Sequence, residues 1–235
     1  MFTPVLTGLN THEGSRLFGV TSAEPNALLD LVLTAGLVSD PVSESILDAA
    51  LAEFLDYGLR RTNVDAVAKR AGVSRATLYR RFENKDVLVQ AVLVRESRRF
   101  FGSIAAAVNK LPTARERLVE GFVVGMRYTR RDPLLSRLLS TDPEALLPYL
   151  TVNGGLVVAA ARDFLVSQAE GLPGGDKPVD GRDPAGVAEL FVRLAISFTL
   201  TPDSCIPLDD DDSVRAFARS YLAVLMGPAA TPPKT

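Results

Sequence analysis

The chain has no tryptophan, one histidine (His12) and one cysteine (Cys205) among its 235 residues, and aromatic side chains make up only 7% of it. One cysteine excludes an intramolecular disulfide framework and fits a reducing compartment. The lone histidine and lone cysteine leave no ligand cluster for zinc and no Ser-His or Cys-His arrangement within a folded segment. No metal site, no cofactor and no enzymatic activity are expected from that inventory. Long apolar runs are missing as well. The longest near the start, residues 28–38, is interrupted by Asp30 and falls short of the roughly 20 residues that a membrane span needs. The opening residues lack a basic segment followed by an apolar core, which is the pattern of a secretory signal. A soluble, cytoplasmic protein without a membrane partner is the expectation.

What is present is apolar, helical and unevenly charged. Hydrophobic residues make up 47% of the chain and charged ones 23%, with Leu, Ala and Val recurring at helical spacing, so the fold class expected is all-α. The length allows a substantial core, divided between one small domain and one of medium size. The net charge of −2 conceals a concentration: from Arg60 to Lys85 eight basic side chains stand against two acidic ones, a local balance of +6 that leaves −8 for the rest. Such a segment suits a nucleic-acid surface, because phosphate neutralisation supplies most non-specific affinity; a solvated helical face has the same composition.

Residues 1–42 mix Gly, Pro, Thr and Asn and read as an extension with one candidate amphipathic helix, 26–37. Its one basic side chain, Arg16, makes it a poor minor-groove arm. From Ser43, Ile46, Leu47, Ala50, Leu51, Phe54 and Leu55 recur at three- and four-residue spacing and predict a helix that stops near Gly58. Asn63 is positioned to cap a second helix whose inward residues Val64, Val67, Ala68 and Ala71 end at Gly72, which tolerates positive φ. Ser74 caps a third, residues 75–82, and Asn84 a fourth, 85–109. The three-residue turn Gly72-Val73-Ser74, with Val73 as an apolar plug, fits two helices crossing steeply, as in a helix-turn-helix.

An α-helix fits the major groove of DNA and its first residues reach base edges, so Arg75, Ala76, Thr77 and Arg80 are the candidate readers. Arg75 can grip guanine through O6 and N7, while the methyls of Ala76 and Thr77 can touch a thymine methyl. Arg80 and Arg81 are adjacent, about 100° apart, so the two do not enter the groove together. Leu78 and Phe82 read as core.

The segment from Asn63 to Lys85, NVDAVAKRAGVSRATLYRRFENK, resembles the TetR family of bacterial repressors. The resemblance rests on Val67-Ala68 with Ala71-Gly72-Val73-Ser74, on Thr77-Leu78-Tyr79, on Phe82, and on Asn84-Lys85 opening a long helix. In detail it covers residues 43–99, and beyond them only helical character and a final-helix pattern match. It implies an N-terminal three-helix DNA-binding domain (43–88) and a larger helical ligand-binding and dimerisation domain (89–226); the three prolines of residues 227–235 separately predict a disordered tail. It also implies that Tyr79 and Lys85 contact phosphates, with Asn63, Arg81 and the start of the second helix as additions and the cap residue Ser74 among the DNA-facing positions. The partners implied are double-stranded operator DNA, a second copy of the chain and a small effector. The reading that follows is a repressor released from a palindromic operator; an activator of the same fold, or a regulator answering to a protein partner, remains open.

Further helices are predicted at 114–130, 133–139, 143–149, 152–170, 184–200 and 211–226, with an exposed Gly/Pro/Asp-rich loop at 171–184. Its Gly171-to-Lys177 stretch lacks the glycine spacing of a phosphate loop and the Ser/Thr after the lysine. The acidic run 209–212 complements a helix dipole or invites a cation. By the resemblance, an inducer pocket is walled by Phe101, Ile104, Phe122, Met126, Leu134, Leu138, Tyr149 and Phe164, and the scarcity of charge there points to an apolar ligand. The last two long helices would pair with a partner's through Leu190, Phe191, Leu194, Phe198, Phe217, Tyr221 and Leu225.

Overall fold

A computed structural model describes residues 40–172 and 182–226, and within them the chain is helical. The candidate helix at 26–37, most of the loop at 171–184 and the tail at 227–235 lie outside the described residues.

Helix α1 (Pro41–Arg61) starts two residues before the sequence pattern suggests. Asp40 is the reason: its carboxylate accepts from the Val42 and Ser43 amides at 3.0 and 3.1 Å, and Pro41 sits where the helix needs no N–H. Gly58, at φ 80 and ψ 166, breaks the helix three residues before its end. Helices α2 (Val64–Arg70), α3 (Arg75–Arg81) and α4 (Lys85–Val108) follow. Each carries the cap that its sequence suggests: Asn63 accepts from Asp65 N at 2.9 Å, Ser74 from Thr77 N at 3.1 Å and Asn84 from Val87 N at 2.9 Å. Between α2 and α3, Gly72 takes φ 68.

Then come α5 (Ala114–Arg131), α6 (Pro133–Thr141), α7 (Pro143–Leu150), α8 (Gly155–Ala169), α9 (Pro184–Leu200) and α10 (Asp211–Phe217). Helix α8 starts later than expected because residues 151–154 are used in a turn, with the Asn153 amide on the Pro148 carbonyl at 2.7 Å. The expected helix 211–226 is not continuous: after Phe217 it widens into a π turn (Ala218–Leu222) and then tightens into a 3-10 turn (Ala223–Met226). The wide turn shifts the register, so that Ala218, Leu222 and Ala223 are buried while Tyr221 is turned out to 67% exposure.

Two main cores result. One gathers Ile46, Leu47, Phe54, Val67, Leu78, Phe82, Leu88 and Val92 from α1–α4, and with them Leu134 and Leu138 of α6. The other packs α5 against α9 and the chain's last turns through Phe122, Met126, Phe191, Val214 and Phe217. Asp142, 3% exposed between α6 and α7, makes a joint to the first core: its Oδ2 accepts from the Leu59 amide at 3.0 Å, directly at the Gly58 break.

Candidate nucleic-acid interface and ligand cavity

Helix α3 buries Leu78 at 0% exposure and leaves Phe82 at 5%, so its other face is outward. Ser74, Arg75, Ala76, Tyr79 and Arg80 stand exposed on that face, and Thr77 is half-buried with its hydroxyl 2.9 Å from that of Ser74. Arg75 Nε lies 2.6 Å from Asp65 Oδ1, an ion pair from α3 to α2 between two largely exposed groups.

Four of the expected contacts are therefore occupied to different degrees. Asn63 spends its side-chain oxygen on the cap of α2. Arg81 diverges from Arg80 as the helix geometry requires, and folds back onto the start of α1, with Nη2 3.2 Å from Asp40 Oδ1 and Nε 3.2 Å from Ser43 Oγ. Lys85 donates through Nζ to the carbonyls of Thr62 at 2.7 Å and Arg60 at 3.1 Å; burial lowers its pKa, against the pull of Asp86 and Asp142. It acts as a tie between α4 and the α1–α2 corner. Thr77, by contrast, is held among the described residues by Ser74, within the start of its own helix.

The Asp40 carboxyl is held far below the ordinary carboxylate range, first by the Ser43 hydroxyl and then by Arg81. A depressed carboxylate stabilises the fold above its unfolded pKa of about 4, and that contribution is lost as pH falls below it. The melting temperature of the wild type should therefore drop more steeply on acidification below pH ~4 than that of Asp40→Asn, as a pH series of thermal melts would show.

A second feature lies between α4, α5, α6, α8 and α9 and the end of α7, a cavity of about 250 Å³. Phe101, Ile104, Phe122 and Phe164 line it, as the sequence suggests. Phe101 and Phe164 stack obliquely with ring centroids 4.7 Å apart. The other four expected wall residues do not line it: Met126 is packed in the second core, Leu134 and Leu138 face the first, and Leu150 rather than Tyr149 reaches the cavity. Phe100, Leu135, Thr129, Ile196 and Thr199 line it without having been expected. One signal was available for them, since Gly121 and Gly125 are one turn apart on α5 and leave the wall bare there. Among the described residues none that lines the cavity is charged. A more open depression of about 520 Å³ shares Leu150 and Ile196 with it and contains Arg193.

Residues 46–92 match the sequence profile of bacterial regulatory proteins of the tetR family, and residues 114–231 that of the C-terminal domain of the bacterial tetracycline repressor. The chain belongs to the TetR family. It is thus a helix-turn-helix transcriptional regulator and not an enzyme, with an N-terminal DNA-binding domain and a larger helical C-terminal domain. It is 27% identical over 188 residues to an uncharacterised HTH-type transcriptional regulator of Mycobacterium tuberculosis, Rv1255c, covering 80% of this chain and 87% of that one. It is 28% identical over 130 residues to the HTH-type transcriptional activator FasR of Mycolicibacterium smegmatis, covering 54% of this chain and 59% of that one. Among solved structures, the TetR family repressor AlkX from Dietzia superposes with a TM-score of 0.55 at 26% identity, over 80% of this chain and 96% of that one.

In this TetR-family regulator the residues expected at a dimer contact fall into three sets. Phe191 (2% exposed) and Phe217 (9%) are core, each packed on Phe122, and Phe191 also lines the cavity. Leu194, Phe198 and Leu225 are partly buried against the second core. Leu190 and Tyr221 are outward, and Val224 joins them at 53% exposure.

Proposed function

We propose that this regulator is a repressor that binds a palindromic operator as a homodimer and leaves it when a small apolar molecule occupies the cavity. The observation that carries this reading is the two-sided position of α6. Leu135 lines the cavity, while Leu134 and Leu138 of the same nine-residue helix belong to the core of the DNA-binding helices. A molecule that fits one spacing of these helices better than another shifts the population of that spacing, and so the distance between two recognition helices. Leu190, Tyr221 and Val224 are the exposed apolar residues offered to the partner, and pairing by a two-fold axis presents two copies of α3 to a palindrome. Arg75, Ala76, Thr77 and Arg80 read bases; Ser74 and Tyr79 contact the backbone. The repressor sign is in keeping with AlkX, which is named a repressor, whereas FasR is named an activator. The regulator would act in the cytoplasm, where its DNA is.

The test is selection of bound sequences from a random DNA pool, followed by a reporter carrying the selected site downstream of a promoter. A palindrome whose reporter is silenced by the protein supports the reading. A sequence-independent, salt-sensitive retention would sink it, and a stimulated reporter would reverse its sign. Tyr221→Glu should yield monomers in sedimentation and weaken operator binding, because it places charge in an apolar contact.

A further inference from the structure

We infer that the cavity selects an uncharged apolar molecule bearing one hydrogen-bond donor, such as an alcohol or phenol, and discriminates against carboxylates. This rests on the proposed role of the cavity as the effector site. Its walls are rich in phenylalanine, and at one place two hydroxyls meet, Thr129 Oγ1 and Thr199 Oγ1, 3.3 Å apart. Each hydroxyl has a backbone carbonyl for its single proton: Thr129 gives it to Met126 O at 3.1 Å and Thr199 to Ala195 O at 2.7 Å. With both protons so engaged, what the pair has left for a ligand is oxygen lone pairs. A ligand O–H or N–H placed between them is accepted by one or both without breaking either carbonyl bond. A ligand that only accepts must turn a threonine away from its carbonyl.

A carboxylate fares worst. Among the described residues the lining supplies no cation, so the group enters only as the protonated acid. With an ordinary carboxyl pKa of about 4.3, protonation near pH 7 reduces apparent affinity by on the order of a hundredfold or more. The size of the molecule follows from the volume. At about 30 Å³ per water-sized group the cavity takes roughly eight heavy atoms.

The experiment uses the full chain with three probes of equal chain length, 1-octanol, 2-octanone and octanoate, each read by thermal shift and by release of the selected operator. The expected order is 1-octanol tightest and octanoate weakest, with octanoate gaining about tenfold per unit of pH lowered. Thr199→Val should weaken 1-octanol on the order of fivefold, the effect of one neutral hydrogen bond, while Thr199→Ser and the binding of 2-octanone to either variant stay near wild type. Octanoate or 2-octanone binding as well as 1-octanol, or a Thr199→Val protein that binds 1-octanol unchanged, overturns the inference and leaves the effector role standing. Donor-dependent binding of 1-octanol that does not release DNA overturns the effector role and leaves the inference. No binding by any probe removes both.

Discussion

Replacing Gly58 with alanine should cost about 3–5 kcal/mol of stability, because two separate penalties coincide at that position. The backbone stands at φ 80 and ψ 166, a region essentially closed to residues with a Cβ. An added Cβ would also lie 2.6 Å from Asp142 Oδ2 and 3.2 Å from Thr141 Oγ1. Asp142 cannot simply withdraw, since its Oδ2 accepts the buried Leu59 amide, and an abandoned buried N–H costs about 1–3 kcal/mol. For a chain of this length the melting temperature should fall on the order of 10 °C. Asp142→Ala should itself destabilise through the lost Leu59 bond, and the double variant should be less destabilised than the two singles predict together, because one contact is removed twice. Additive losses in that cycle would mean that the clash with Asp142 plays no part.

The other large effect concerns Arg75. Its pair with Asp65 joins side chains that are 68% and 40% exposed, and an exposed pair contributes about 0–1 kcal/mol, so little holds the guanidinium back from a guanine. A bidentate guanine contact discriminates by about 1–3 kcal/mol, and a dimer makes it twice. Arg75→Ala should therefore raise the operator dissociation constant on the order of a thousandfold and relax preference at one base pair in each half-site. Asp65→Asn should act in the opposite direction, releasing Arg75 and removing a negative charge beside the phosphates, with a gain of up to about tenfold that includes non-specific DNA. Titrations of labelled operator at fixed salt measure both. An Arg75→Ala protein within twofold of wild type would end the base-reading role, whatever Asp65→Asn did.

Much of the head was legible because its determinants are local. Asn63, Ser74 and Asn84 each act within three residues of themselves, and the burial of Ile46, Leu47, Ala50 and Phe54 repeats at the helical period. Arg81 was illegible for the opposite reason: its partner Asp40 is 41 positions away, although Asp40-Pro41-Val42-Ser43 is itself a readable helix start. The cavity wall was half legible. Period alone identifies the apolar faces of α5, α6 and α8 but not which neighbour each face meets, so the pattern offers Leu134 and Leu138 to the cavity although they pack on the DNA-binding core, whereas Leu135 lines it. Nothing in the apolar pattern of residues 211–226 marks the π turn that turns Tyr221 outward.

The placement of α6 also sets where such a regulator can be cut and rejoined. A chimera that fuses residues 40–88 to another regulator's sensing half at the start of α4 would discard Leu134, Leu138 and the Asp142 carboxylate, and with them part of the floor on which its own reading head rests. Grafts that carry residues 133–146 along with the head keep that floor intact. In recombination terms, the heritable unit of this reading head is two stretches of sequence that travel together.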